Sequence, residues 1–282
     1  MFGERAEVDA TVLGDGDPDL AVVGGIHGDE PSGVRAIRHV LDTEPDLERA
    51  VKFVVANPPA GVAHRRYLDV DMNRVFPGDP DSPDRERRLA AQLADEIGGS
   101  IVLSLHSTHS STNPIAFVSG KHPDAQAVAA RLPVEHVVNH DPVVDGAFTS
   151  CKRVVSVEVG RQLTDAATTN ATKLVRSFLR MTDALPDEPT TGSPDFHTLT
   201  GSVEKPADAE DPQLLVDNFR EVSEGTTYAT TSDAEFVADD SFYPILMSET
   251  GYDHIFGYRG RRAGDSLQEA RAAWGTPLAG DE

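Results

Sequence analysis

A histidine at the end of an apolar run and a glutamate three residues later, at the mouth of a helix, can turn toward one point and share a metal ion. The chain has that pair in Gly24-Gly25-Ile26-His27-Gly28-Asp29-Glu30, between the run Leu20-Ala21-Val22-Val23 and a helix-like segment opening at Pro31. His106 follows a third apolar run and supplies a second imidazole. Two histidines and one carboxylate leave a fourth position open for water, the ligand set of catalytic rather than structural zinc. His27, Glu30 and His106 are therefore the expected ligands of one Zn2+ per chain, and zinc-assisted hydrolysis is the expected chemistry. His109, three residues further into the loop, competes with His106, and Glu30 taken alone could simply favour the helix dipole.

Two further signals suit such a centre. In Arg153-Val154-Val155-Ser156-Val157-Glu158-Val159-Gly160 a carboxylate interrupts a strand otherwise suited to burial, where an unpaired charge is costly. Near a zinc-activated water Glu158 would serve as general base and then hand the proton to a leaving nitrogen. The alternative is a strand-end ion pair with Arg161. The segment Arg65-Arg66-Tyr67-Leu68-Asp69-Val70-Asp71-Met72-Asn73-Arg74 offers guanidinium groups. Arg66 suits polarisation of a scissile carbonyl, while Asn73 and Arg74 suit a bidentate grip on a substrate carboxylate. Arg65 fits neutralisation of Asp69 and Asp71 equally well.

Elements must place these groups together. Leu20 to Val23, Val51 to Ala56, Ile101 to Leu105 and Val154 to Val159 are short, continuous and β-branched, as strands buried on both faces of an α/β sheet should be. Helical patterns fall at Ser32 to Leu41, Arg85 to Ile97, Pro123 to Arg131 and Thr168 to Met181. The alternation predicts an α/β fold with a doubly wound, mostly parallel sheet, whose ligand lies beyond the carboxyl ends of the strands. His27, Asn57, His106 and Glu158 all fall at those ends. Leu185 to Asp195 reads as a linker. Residues 1–187 are then the catalytic domain, and residues 188–282 a smaller β-rich domain covering the site.

Composition narrows the partners. The chain has 282 residues, 47 acidic against 25 basic, and a net charge of -22. Nucleic acid and anionic membrane are disfavoured by repulsion. Only five of the basic residues are lysines, and an Asp/Glu-rich, Arg-biased surface points to a salt-adapted, halophilic cytoplasm, where self-repulsion is screened. The single cysteine, Cys151, excludes an internal disulfide and a cysteine-rich zinc site. Lys152 and Arg153 could lower its pKa, but no partner marks it as a nucleophile. Residues 1–7 lack a basic region followed by an apolar core, so a soluble cytoplasmic protein is expected. The remaining histidines, at 39, 64, 122, 136, 140, 197 and 254, lack ligand spacing and read as surface or hydrogen-bonding residues.

Taken in order, His27-Gly28-Asp29-Glu30, Arg66-Tyr67 with Asp71-Met72-Asn73-Arg74, His106 after a strand, and Glu158-Val159-Gly160 resemble the succinylglutamate desuccinylase and aspartoacylase family, itself similar in fold to zinc carboxypeptidases. Ser248-Glu249-Thr250-Gly251-Tyr252 more weakly resembles the segment by which the family's β-rich carboxy-terminal domain sends a tyrosine into the site. The resemblance implies that His27, Glu30 and His106 hold zinc, that Glu158 activates water and Arg66 polarises the amide carbonyl, that Asn73 and Arg74 bind a carboxylate, and that Tyr252 contacts substrate. One departure bears on specificity. Family members that recognise N-acetylaspartate carry another arginine shortly before the catalytic glutamate, where this chain reads Gly146-Ala147-Phe148-Thr149-Ser150. An arginine placed at Phe148 would then restore acidic substrates, unless Arg153 or Arg259 supplies the missing cation.

The expected activity is removal of an acyl group from a small-molecule N-acyl amino acid. A zinc carboxypeptidase acting on peptides is the runner-up, and a non-catalytic metal-binding protein the third reading. The sequence allows a homo-oligomer without specifying one.

Overall fold

A computed structural model describes residues 7–206, 208–252 and 254–276. Residues 1–6, part of the segment read above for a leader, lie outside the described residues, as do residues 277–282. Strand β1 (Asp9–Leu13) is followed by β2 (Leu20–Gly24), α1 (Pro31–Thr43), β3 (Val51–Val55), α2 (Pro58–Ala63), a 3-10 turn at Met72–Arg74, α3 (Arg85–Ile97) and β4 (Ile101–Thr108). Then come β5 (Ile115–Val118), α4 (Pro123–Ala129), β6 (His136–Asn139), α5 (Phe148–Cys151), β7 (Val154–Arg161) and α6 (Asp165–Met181). The remainder is β8 (Asp195–Glu204), β9 (Gln213–Leu214), β10 (Thr227–Thr230), β11 (Glu235–Val237), β12 (Tyr243–Ile245), β13 (Ile255–Gly264) and α7 (Leu267–Trp274).

The four strands expected from apolar runs are β2, β3, β4 and β7, and they lie side by side in the order β3-β2-β4-β7, all parallel. Every residue of β2 is buried, because helices cover both faces of the sheet. Its side chains alternate accordingly. Leu20 and Val22 join the cluster under α1 and α6 with Ile37, Leu174 and Phe178, while Ala21 and Val23 face Leu89, Leu93 and Ile97 of α3. Each such fully buried leucine or phenylalanine contributes ~1.5–3 kcal/mol. Thr164 caps α6 through its Oγ1, accepting from Ala167 N at 3.2 Å, which starts that helix before the expected Thr168.

The full sheet has ten strands in the order β1-β3-β2-β4-β7-β5-β6-β8-β13-β12, and β9, β10 and β11 make a small antiparallel sheet. Strands β8, β13 and β12, all beyond residue 188, are hydrogen-bonded into the large sheet, β8 running parallel to β6. The linker ends one residue early, since Asp195 already pairs with His136. No helix among the described residues is long and apolar enough to cross a membrane.

Candidate active site

The crevice between β2 and β4 lies where the winding of the sheet reverses, the place where open α/β sheets bind ligands. Two glycines shape the turn after β2. Gly25 has φ +70°, a left-handed conformation that a side chain disfavours, and a Cβ on Gly28 would lie 2.1 Å from the carbonyl carbon of Ala60 in α2. The loop can therefore press against α2, where Gly28 N donates to the Arg66 carbonyl at 3.2 Å. His27 and Arg66 are thereby brought to one place.

His27, Glu30 and His106 are buried, with donor atoms all within 4.8 Å of one another. Glu30 stands at the N-cap position of α1 but makes no capping bond. Its Oε1 lies 2.7 Å from His27 Nδ1, and its Oε2 lies 3.1 Å from His106 Nδ1 and accepts from Ser107 N at 3.0 Å. The two outward ring nitrogens have orienting partners: Asp71 Oδ1 is 3.1 Å from His27 Nε2, and Ser104 Oγ is 3.3 Å from His106 Nε2. This arrangement, inner nitrogens converging on a carboxylate and outer nitrogens held by a second layer of groups, suits a divalent cation. Burial alone would lower the His27 pKa, yet Glu30 and Asp71 outweigh it and raise it to about 9. The pocket thus draws positive charge. Burial opposes ionisation of Glu30, but the charge of His27 and the bond from His106 keep it well below the usual carboxylate range. For His106 burial wins, and its pKa is lowered.

Arg66 uses Nε and Nη2 on one oxygen of Asp71, each at 3.1 Å, and Nη1 on Glu30 at 3.3 Å. Asp71 is held well below its usual range, its bond and charge pairing with His27 and the charge of Arg66 overcoming burial. Glu158 lines the same cavity and pairs in register with His106 across β4 and β7. Its Oε2 is buried with no hydrogen-bond partner, and Arg161, its expected partner, is exposed at the end of β7. Burial first, then the charge of Glu30, raises its pKa to about 8. Asn73 and Arg74 also line the cavity; Asn73 Oδ1 accepts from Phe148 N at 3.0 Å, and Arg74 Nη1 donates to the Asn73 carbonyl at 2.8 Å. Tyr252 enters from the loop between β12 and β13, its hydroxyl pKa pushed up by burial.

Other expectations need correction. Asn57 is not in the cavity: it caps α2 and donates to Glu86. Arg65 is exposed and outside the cavity, while His109 lines it but is exposed and apart from the donor cluster. Phe148 is fully buried and stacked on Phe76 at 4.6 Å, so an arginine there would enter the core; Ala147 and Thr149 are the neighbours that line the cavity. Arg153 pairs with Asp124, and Arg259 with Asp239 and Asp240 above the Phe242 ring; neither lines the cavity. His140 and His197 are buried rather than superficial, and His140 lines the cavity. Burial pushes the Cys151 thiol up to about 11, against Lys152.

Asp71 and Glu86 were missed as individual residues. Glu86 is fully buried on α3 and accepts from Leu68 N at 2.8 Å, Asp69 N at 3.0 Å and Val70 N at 3.3 Å, holding the loop that delivers Arg66 and Asp71.

The fold is a three-layer α/β sandwich with a buried His-Glu-His cluster that could hold a metal ion beside the ends of β2 and β4. Residues 16–185 match the model of the succinylglutamate desuccinylase/aspartoacylase catalytic domain, and the chain belongs to that family. It is similar to a human N-acyl-aromatic-L-amino acid amidohydrolase, 36% identical over 36% of this chain and 37% of that protein. A probable aspartoacylase of Parasynechococcus marenigrum is 27% identical over 83% of this chain and 89% of the relative. Among solved structures, a succinylglutamate desuccinylase/aspartoacylase from Rhodobacter sphaeroides superposes with a TM-score of 0.72 at 18% identity, covering 91% of this chain and 89% of that one. Murine aminoacylase 3 does so at 0.69 and 21%, covering 88% and 97%. At these identities the structural likeness is one of fold.

Proposed function

We propose that this chain is a zinc-dependent deacylase that cleaves the acyl amide bond of a small N-acyl amino acid. The observation that carries the reading is the unpartnered Oε2 of Glu158 in the same cavity as the His27, Glu30 and His106 donors. A protein that only held metal would need no such base. Bound by those three residues, zinc would supply the positive charge that polarises the carbonyl and acidifies water. Glu158 takes the proton of the attacking water on Oε2 and returns it to the departing nitrogen. Arg66 has five N–H donors, of which two are hydrogen-bonded, Nε to Asp71 and Nη1 to Glu30, so others remain for the carbonyl oxygen as negative charge develops. Asn73 and Arg74 hold the substrate carboxylate, with Tyr252 beside them. A cavity of about 160 Å³ suits a small molecule better than a peptide. The described residues beyond 188 act as the covering part, contributing Leu199, Leu246, Ser248, Tyr252 and Tyr258 to its wall. The net charge of -22 supports a salt-rich cytoplasm as the setting.

The purified protein should carry about one zinc per chain, as three protein ligands with an open position imply. Metal analysis of His27→Ala and His106→Ala should show most of it lost, while His109→Ala keeps it. Full zinc in His106→Ala, or no hydrolysis of any N-acyl amino acid by the zinc-loaded protein, overturns the reading.

A further inference from the structure

The cavity has two chemically different ends. Around the donor cluster its walls are charged. The rest of the lining includes an apolar group, Phe117, Val144, Leu199, Leu246 and Tyr258, which belong to or pack on the buried cluster of Ile115, Val138, Ile245 and Ile255. Among the described residues the only arginines or lysines lining the cavity are Arg66 and Arg74. Arg66 is engaged by Glu30 and Asp71. Two polar groups at the apolar end, the Thr149 hydroxyl and His140 Nε2, are bonded to each other. Burial, opposed only in part by Asp141, lowers the His140 pKa to about 4, so the ring carries no charge at neutral pH.

The position of Arg74 says which part of a substrate meets this end. Phe148 N donates to Asn73 Oδ1 at 3.0 Å, Phe76 N donates to the Gly146 carbonyl at 3.0 Å, and a Cβ on Gly146 would lie 2.1 Å from the Arg74 carbonyl oxygen. Ala147 and Thr149 therefore flank the Asn73–Arg74 pair. In an N-acyl amino acid the carboxylate and the side chain hang from one carbon. With the carboxylate on Arg74, a side chain on the same carbon has Ala147 and Thr149 beside it, and Val144, Leu199, Leu246 and Tyr258 are the apolar part of the remaining lining.

We propose that this end is the side-chain subsite, that it selects N-acyl amino acids with an uncharged apolar side chain over those with a second carboxylate, and that Thr149 is the specificity-determining residue at its wall. The inference rests on the deacylase reading for its substrate class. A second carboxylate would be buried there without a cation, whereas an apolar side chain gains by leaving water.

The test compares kcat/KM of the zinc-loaded protein for N-acetyl-L-phenylalanine, N-acetyl-L-leucine and N-acetyl-L-aspartate. The apolar compounds should exceed the aspartate compound by at least about 100-fold, the cost of a buried unpaired charge. Thr149→Arg should narrow that ratio at least about 10-fold, by gain on aspartate and loss on phenylalanine. A parent preference for the aspartate compound overturns the subsite, and a folded Thr149→Arg enzyme with an unchanged ratio overturns the role of Thr149. Calorimetric binding of the same compounds to zinc-loaded Glu158→Gln protein gives a second readout, independent of turnover and of that variant's folding. There the aspartate compound should bind at least about 100-fold more weakly, and equal binding overturns the subsite. Absence of hydrolysis of all three by the parent would count against the deacylase reading, leaving the subsite to be decided by this binding.

Discussion

Glu158 occupies a costly position. With the folded-state pKa near 8 and the ordinary value at 4.5, the unfolded chain ionises first as pH rises. Between those values the unfolded state holds fewer protons, so stability of the metal-free protein falls with rising pH across that window. Glu158→Gln keeps the shape and removes the charge. Urea unfolding of the zinc-free variant should therefore show higher stability than the parent at pH 8 and little difference at pH 4.5. The same variant should bind zinc normally and lose kcat by about 10²- to 10⁴-fold, the usual worth of a general base. Near-normal turnover would assign water activation to another group. His27, Glu30, His106 and Glu158 were legible because metal ligands and a buried carboxylate stand out by type at the ends of apolar runs. Thr149, His140 and Leu199 were not, since they are ordinary residues that reach the cavity only through long-range contacts, Thr149 through the bonds of its segment to Asn73 and Phe76, His140 and Leu199 through the pairing of β6 and β8.

At the scale of elements, α3 and the loop before it act together through Glu86. Its neighbours Arg85, Arg87 and Arg88 make the helix read as a solvated charge run, and nothing local distinguishes the one charge that is buried. The four central parallel strands, of five to eight residues, were legible as continuous apolar runs, whereas β5 and β6, four residues each and the latter opening on His136 and closing on Asn139, did not stand out. Strands β8 and β13 read as a separate unit because they are Thr- and Gly-rich, yet their hydrogen bonds run into the main sheet. Glu86→Ala would leave three backbone N–H groups and the Asn57 amide without their acceptor. We expect a loss of at least about 1 kcal/mol of stability, the low end of the ~1–3 kcal/mol for a buried donor left unmade, since the Asn57 amide is buried while the loop N–H groups are only part-buried. Displacement of Arg66, Asp71 and Arg74 should also reduce kcat/KM at least about 10-fold, equivalent to roughly 1.4 kcal/mol. Urea midpoints and kinetics of Glu86→Ala beside Glu86→Gln, which retains an acceptor oxygen, separate the two effects. Parent-like stability in the alanine variant would show that the loop is held by other contacts.

Over the whole molecule, charge is the dominant departure from an ordinary globular chain. Arginines at the surface pair with aspartates, as Arg87 does with Asp84 at 3.2 Å and Arg153 with Asp124 at 3.1 Å. Such exposed pairs contribute ~0–1 kcal/mol each, so they cannot offset the mutual repulsion of a chain at -22. That repulsion acts over a Debye length of about 10 Å at 0.1 M salt and about 3 Å at 1 M. Raising KCl from 0.1 M to 2 M should therefore stabilise the folded state, since the compact chain holds its charges closer together than the unfolded one. A gain of about 2 kcal/mol corresponds to a Tm increase of about 5 °C in a protein of this size. Thermal unfolding in KCl, repeated on a variant with several exposed Asp and Glu residues changed to Asn and Gln, tests the cause. The parent Tm should rise by at least about 5 °C, and the variant should respond less from a higher starting point. Equal salt responses in the two proteins would assign the acidity to solubility alone and overturn salt adaptation as its origin.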